Sequence, residues 1–190
     1  MQKKMVPRST AKEWFVFLTN FVASKATCPR FHAGAVIVRD NRIISTGYNS
    51  SPSGSAHCED VGCLVLNDHC KRSTHAEQNA IINAARVGVS TVGATMFIKG
   101  HPCVDCAKHI VNSGITHVVL DLSHGYHRHQ TTQSEDQRIA EQIMRESSVD
   151  IAVFEGDFFA PIKRFLAEFS KEELADLKKL IEDMQKDQEG

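Results

Sequence analysis

His75-Ala76-Glu77, followed at a distance by Pro102-Cys103-Val104-Asp105-Cys106, is the stretch around which the chain is organised. One imidazole and two thiolates can hold a zinc ion in three positions and leave the fourth open, whereas structural zinc sites close all four with protein donors. Zinc bound in such an open site brings the pKa of a water close to neutrality. Glu77, just past the histidine, is a carboxylate beside the metal without a ligand's duty, placed to move a proton between that water and a substrate nitrogen. The local sequence gives a reason for each spacing. Ala76 to Arg86 reads as a helix, with an apolar stripe at Ile81, Ile82 and Ala85 and a stop at Gly88. Pro102 suits a helix start, and Cys103 to Val111 reads as helix until Gly114 ends it. Cysteines at a helix N-terminus feel its positive dipole end, which favours the thiolate a metal needs. A C-x-x-C with one histidine also suits a structural zinc knuckle, a redox pair or two buried thiols. Glu77, Pro102 and a strand-like segment ahead of each helix favour the catalytic reading.

Outward from this centre the chain alternates strands and helices. Thr10 and Glu13 form a capping-box pattern ahead of Trp14, Phe17, Leu18 and Phe21, a helix whose aromatics read as core. Ala33 to Val38 is a short apolar run, Asp40-Asn41 a hairpin turn, and Arg42 to Tyr48 the partner strand. Ala94 to Ile98 and Thr116 to Asp121 are strands, each next to a metal helix. Ser134 and Gln137 cap a further helix before a last strand at Val149 to Phe154. The order predicts a three-layer α/β/α sandwich on a five-stranded mixed sheet with helices on both faces. Its opening hairpin is antiparallel and its later strands are largely parallel. Residues 1–167 read as one domain. Residues 168–190 form a C-terminal amphipathic helix, opened by the Ser170 and Glu173 capping pair, with Leu174, Leu177, Ile181 and Met184 three and four apart. That helix is expected to pack on the body or on another subunit.

The 190 residues, with 42% hydrophobic and 24% charged residues, suit one ordinary globular domain. A net charge of −1 and a pI near 6.8 argue against a nucleic-acid-binding surface. No run reaches the apolar length of a membrane span, and the first residues lack a signal peptide's hydrophobic region. A cytoplasmic location is expected (the host's cytoplasm for a viral protein), where six cysteines point to metal rather than disulfides. Between Asn49 and Thr74 lies a long loop in which His57, Cys58, Cys63, His69 and Cys70 crowd together. Such length calls for a staple or a function. A second, structural zinc held by Cys28, Cys58, His69 and Cys70 is one reading; free thiols around a mobile lid is the other.

From its first helix to about Phe154 the chain resembles the cytidine deaminase superfamily, and within it the deoxycytidylate deaminases of bacteria and phages. The resemblance is carried by Ala33-Gly34-Ala35-Val36-Ile37-Val38, Gly47-Tyr48-Asn49, Thr74-His75-Ala76-Glu77-Gln78-Asn79-Ala80-Ile81 and Pro102-Cys103-Val104-Asp105-Cys106-Ala107-Lys108. Cys28-Pro29-Arg30 and the insert from Cys58 to Arg72 add to it. The resemblance implies a cytidine-deaminase-like fold in which His75, Cys103 and Cys106 hold catalytic zinc and Glu77 shuttles protons. It implies that Asn49 binds the deoxyribose hydroxyl, that backbone at Ala76 and around His101 reads the pyrimidine, and that Arg30 and Tyr126, with His127 and Arg128 nearby, meet the phosphate. Hydrolysis of dCMP to dUMP and ammonia would follow. Many relatives are homohexamers activated by dCTP and inhibited by dTTP, each with magnesium, at a Gly-Tyr-Asn-Gly turn. Here the turn is Gly47-Tyr48-Asn49-Ser50, and serine lacks glycine's freedom at positive φ. His101 and His32-Ala33 also depart from the usual pattern and can tune the pocket. The rival readings are a deaminase of another cytosine nucleotide, nucleoside or base, or a zinc-stabilised binding module without catalysis.

Overall fold

The hairpin turn at Asp40-Asn41 starts the sheet. Both residues take positive φ, 52° and 58°, the geometry of a two-residue turn whose twist matches the strands it joins. The computed structural model describes residues 6–66, 69–122 and 134–187. In chain order its elements are α1 (Ala11–Ala23), β1 (Gly34–Arg39), β2 (Arg42–Tyr48), α2 (Cys58–Val61), β3 (Val65–Leu66), β4 (His69–Cys70), α3 (Ala76–Arg86) and β5 (Thr95–Lys99). After these come α4 (Val104–Asn112), β6 (His117–Asp121), α5 (Glu135–Glu146), β7 (Asp150–Val153), α6 (Ala160–Leu166) and α7 (Lys171–Asp187). The main sheet runs β2-β1-β5-β6-β7. β1 is antiparallel to β2 and also to β5, while β5, β6 and β7 are parallel. The expected α/β/α fold with a five-stranded mixed sheet is therefore the one formed. The loop insert contributes its own small antiparallel ribbon, β3 with β4.

Period-two alternation divides the core between two faces. Ala35, Ile37, Met96, Ile98, Val118 and Leu120 face α3, α4 and α5, meeting Ala80, Ala107, Ile110, Ala140 and Met144. Val36, Val38, Phe97 and Val119 face the opposite way, against Phe15 and Val16 of α1. The Phe15 and Phe97 rings lie 5.2 Å apart. Fully buried side chains such as Ile37, Ile98 and Leu120 each stabilise the fold by about 1.5–3 kcal/mol.

Two expected helix faces are rotated. α1 buries Phe15, Val16, Thr19 and Ala23, leaving Trp14 and Phe21 exposed. α3 buries Ala76, Ala80 and Ala84, while Ile82 and Ala85 point outward and Ile81 is half-buried. The reason is shared: each helix presses its backbone onto a glycine of the sheet. A Cβ on Gly34 would strike Thr19 O and Ala23 N, and one on Gly47 would strike Ala76 O and Ala80 N. Helices this close must present small residues, so the larger apolar side chains turn away. In α7, Leu174, Leu180, Ile181 and Met184 are exposed and Leu177 is half-buried; the body of the single chain does not cover the stripe. No helix among the described residues is long and apolar enough to cross a membrane.

Gly47→Ala is expected to cost about 3 kcal/mol or more, the upper end for overpacking, because backbone rather than a side-chain tip stands in the way. Gly54→Ala, at φ 83° in open space, should cost only about 1–2 kcal/mol. Urea unfolding of the two variants measures the difference.

Candidate metal centre and active site

Three hydrogen bonds clamp α3 to the sheet. Ser45 Oγ donates to Ala80 O (2.6 Å), Asn79 Nδ2 to Tyr48 O (2.8 Å) and Asn83 Nδ2 to Thr46 O (2.9 Å). They fix the helix so that His75, its N-cap residue, stands at the end of the sheet, where Gln78 Oε1 accepts from His75 N at 3.2 Å. Two strands over from β2, β5 runs through Gly100-His101-Pro102 into Cys103, the N-cap residue of α4. The two helix starts thus meet, at the C-terminal end of β5 in the parallel half of the sheet, the usual place for a site in an α/β fold.

His75 Nδ1 lies 3.5 Å from Cys103 Sγ and 3.4 Å from Cys106 Sγ, and all three atoms fall within 4.8 Å of one another. Zinc bonds of about 2.3 Å to sulfur and 2.0–2.1 Å to nitrogen in a tetrahedron place donor atoms about 3.6 Å apart. The observed spacings fit that edge. The electrostatics agree. The Cys103 thiol is pulled down to about 4, chiefly by the hydrogen bond from Cys106 and then by His75, against burial. Cys106 moves the opposite way, raised by the same hydrogen bond and by burial. His75 is raised to about 9, first by its hydrogen bond with Cys103. One thiolate and one imidazolium therefore share the pocket, and a divalent cation is the natural replacement for the protons they hold.

Glu77 is 5% exposed. Burial raises its pKa, opposed mainly by the charge on His75, and Cys106 hydrogen-bonds its carboxyl group. Ala76 is wholly buried in the same first turn of α3. Asn49 is buried beside the pocket and brackets the loop before β1. Its Oδ1 accepts from Ala33 N (2.8 Å), and its Nδ2 donates to Phe31 O (2.7 Å). The bracket holds the Arg30-Phe31-His32 segment in place, with Arg30 at the surface. Tyr126, His127 and Arg128 lie outside the described residues. His101 is paired with Glu141 of α5, Nδ1 to Oε1 3.4 Å, and burial lowers its pKa.

The expected effector turn is built into the sheet edge. Gly47 serves the close approach of α3, Ser50 Oγ accepts from Asn79 Nδ2 at 3.3 Å, and Ser50 bridges to Thr74. Among the described residues, positive φ outside glycine occurs at Asp40, Asn41 and Ser148. Serine at position 50 is accordingly unstrained.

The second cluster forms with a changed membership. Cys58, Cys63 and Cys70 gather within 4.8 Å, with Cys58 and Cys70 Sγ 3.6 Å apart, close to the about 3.8 Å edge of a zinc–thiolate tetrahedron. His69 is not among them. It is exposed, because adjacent residues of β4 point to opposite sides and Cys70 takes the inward one. Cys28 is buried and near enough that its charge opposes ionisation of Cys63. Burial pushes Cys58 up to about 12, whereas backbone hydrogen bonds from Ser73 and Arg72 outweigh burial at Cys70 and bring it to about 7. Cys63 enters through Gly62, whose φ of 80° ends α2 and turns the chain back. That glycine ahead of a cysteine was the available sequence signal. Ser45 and Asn83 carry no sequence motif, and Gln78 and Asn79 enter only within the stretch that carries the resemblance, although Gln78 near a helix start is a capping signature.

Fold and donor set together define an α/β/α protein in which His75, Cys103 and Cys106 are gathered closely enough to hold a metal ion. A family model described as the cytidine and deoxycytidylate deaminase zinc-binding region matches residues 9–122, and the chain belongs to that family. It is 44% identical to ComE operon protein 2 of Bacillus subtilis over 108 residues, 57% of each chain. It is 36% identical to the deoxycytidylate deaminase of Saccharomyces cerevisiae over 131 residues, 65% of this chain and 42% of that one. It thus spans between about two fifths and three fifths of these relatives. The crystal structure of a dCMP deaminase from cyanophage S-TIM5, in complex with dCMP and dUMP, shares the fold, with a TM-score of 0.61 at 24% identity over 75% of this chain and 96% of that one.

Metal analysis checks the assignment. Cys103→Ala or Cys106→Ala should each lower bound zinc by about one ion per chain, because two protein donors do not make a site. Gln78→Ala, which removes only the cap, should leave zinc content unchanged.

Proposed function

We propose that the protein is a zinc-dependent deoxycytidylate deaminase, converting dCMP and water to dUMP and ammonia. The observation that carries this reading is the buried carboxyl group of Glu77 beside a donor set of three, where a purely structural site has no use for it. When bound, zinc would supply a Lewis acid that acidifies water at the fourth position. The chain's own residues do the rest. Glu77, whose pKa burial raises, accepts a proton from the attacking water and delivers it to ring nitrogen 3, then takes the proton of the hydroxyl left on carbon 4 and passes it to the departing amine. Asn49 keeps the loop before β1 closed over the nucleotide side of the pocket and orients the sugar. Ala76 and the backbone around His101 read the base. Arg30 provides a fork for the phosphate, joined by Tyr126.

The reading extends to a second, structural zinc. Cys58, Cys63 and Cys70 supply three donors, and Cys28, whose charge is felt at Cys63, would be the fourth in place of the exposed His69, so the ion would staple the insert to the segment before β1. We also propose a cytoplasmic homohexamer regulated by magnesium-bound dCTP and dTTP at Gly47, Tyr48, Asn49 and Ser50. The unstrained Ser50 is compatible with that turn, and exposed Ile43 and Ile82 offer apolar surface for neighbours.

Ammonia release from dCMP, dCTP, deoxycytidine and cytosine, with and without dCTP or dTTP, tests substrate and regulation together. The expected result is a kcat/KM for dCMP at least tenfold above the others; preference for a nucleoside or free base would overturn the reading. Arg30→Ala should raise KM for dCMP roughly 10- to 100-fold, the worth of a charge-assisted pair, and leave deoxycytidine nearly unaffected.

A further inference from the structure

α7 is a helix of 17 residues that packs on no other described element beyond isolated contacts. Its large apolar residues are Leu174, Leu177, Leu180, Ile181 and Met184. Leu180, Ile181 and Met184 are 56%, 49% and 55% exposed. A helix of this length is marginal in water by itself, because packing of the apolar face supplies most of a helix's stability in a protein. The stripe therefore calls for a partner.

The spacing says which. Leu174, Leu177, Ile181 and Met184 are three, four and three residues apart, the a and d positions of a heptad, and Leu180 stands at g. The outward positions b, c and f hold Ala175 and otherwise charged residues. A period of about 3.5 residues keeps such a seam facing one partner helix. β-branched Ile181 at a with Leu177 at d is the pairing that favours two strands. Charge then selects the orientation. Glu173 lies at g and Lys178, five residues on, at e. In parallel helices g of one chain meets e of the following heptad on the other, so Glu173 meets the partner's Lys178, once on each side of the two-fold axis. An antiparallel pair in full overlap sets Lys178 against the partner's Lys178 instead. Both side chains are available for the parallel contact. Glu173 Oε2 accepts from Ser170 N at 2.8 Å, which leaves Oε1 for an ammonium. Lys178 reaches Glu182 of its own helix at 3.7 Å, an exposed pair that holds it only weakly.

We infer that α7 is a docking helix for a second copy of this chain, paired in parallel with the same helix through Leu174, Leu177, Ile181 and Met184 and through reciprocal Glu173–Lys178 contacts. The surface is separate from Ile43 of β2 and Ile82 of α3, so its failure leaves the hexamer reading intact. The seam from Leu174 to Met184 is short, and the pair is accordingly weak and read by dilution.

Sedimentation velocity of the full chain over a dilution series tests this. Ile181→Asp puts a charge in the seam, and Lys178→Glu sets like charges at both g–e contacts. Each should raise the concentration at which the largest assembly half-dissociates by about tenfold or more. Lys179→Glu makes the same charge change at an outward position and gains the same kind of acidic neighbour four residues on, Asp183 in place of Glu182. It should stay within about twofold of wild type, the expectation for an exposed charge. A wild type that is monomeric throughout, or an assembly indifferent to Ile181→Asp, overturns the inference. So does equal association of wild type and Lys178→Glu, the result an antiparallel pair gives. A loss with Lys179→Glu as large as that with Lys178→Glu would reduce the effect to net charge and overturn it as well.

Discussion

Backbone contact between α3 and β2 sets the rest of the molecule. With no side chain on Gly47, the first turn of α3 rests directly on the strand, and Ala76 and Ala80 seal the join. The Ser45, Asn79 and Asn83 hydrogen bonds then fix rotation and height. A metal donor on a helix N-cap inherits that precision, so His75 is placed by main-chain geometry rather than by its own packing. Cys103 is placed at the end of β5, two strands over from β2, and α4 packs through Ala107 and Ile110 onto the same sheet face. The site is the intersection of two helix origins on one rigid sheet, which is how a scaffold holds ligands to the tolerance metal chemistry needs.

Burial decides the electrostatics. A carboxyl group at 5% exposure resists ionisation, and the two sulfurs beside it resist holding two charges. Protons are therefore retained where a reaction can use them, and burial moves Glu77 up from the ordinary carboxylate range, which favours holding a proton it can pass on. The surface side of the site has the opposite character. Arg30 is a surface cation on a chain whose net charge is only −1, so the attraction proposed for a phosphate is local rather than spread over the molecule.

Much of this was legible in the sequence because it rests on short-range rules. The hairpin turn, the capping boxes at Thr10 and Ser134, and the C-x-x-C at a helix origin are local, and local chemistry fixes them. The buried faces of α1 and α3 were not legible. Large apolar residues mark a helix face when partners sit at ordinary distance, but here Gly34 and Gly47 bring backbone onto backbone. Small residues then carry the interface, and Trp14, Phe21 and Ile82 are left exposed. The exchange of His69 for Cys63 has a similar origin: composition gave the donors, but only the pairing of β3 with β4 decides which residue of His69-Cys70 points inward.

The central claim is that three protein donors hold the metal while Glu77 handles protons without binding it. Replacing Glu77 by Gln keeps the side chain's shape and removes its ability to carry a proton. Measured for zinc content and for ammonia release from dCMP, the variant should keep the wild-type complement of zinc and lose turnover by about 100- to 10,000-fold, the range for a positioned acid–base group. Retained turnover, or loss of zinc along with it, would contradict the account.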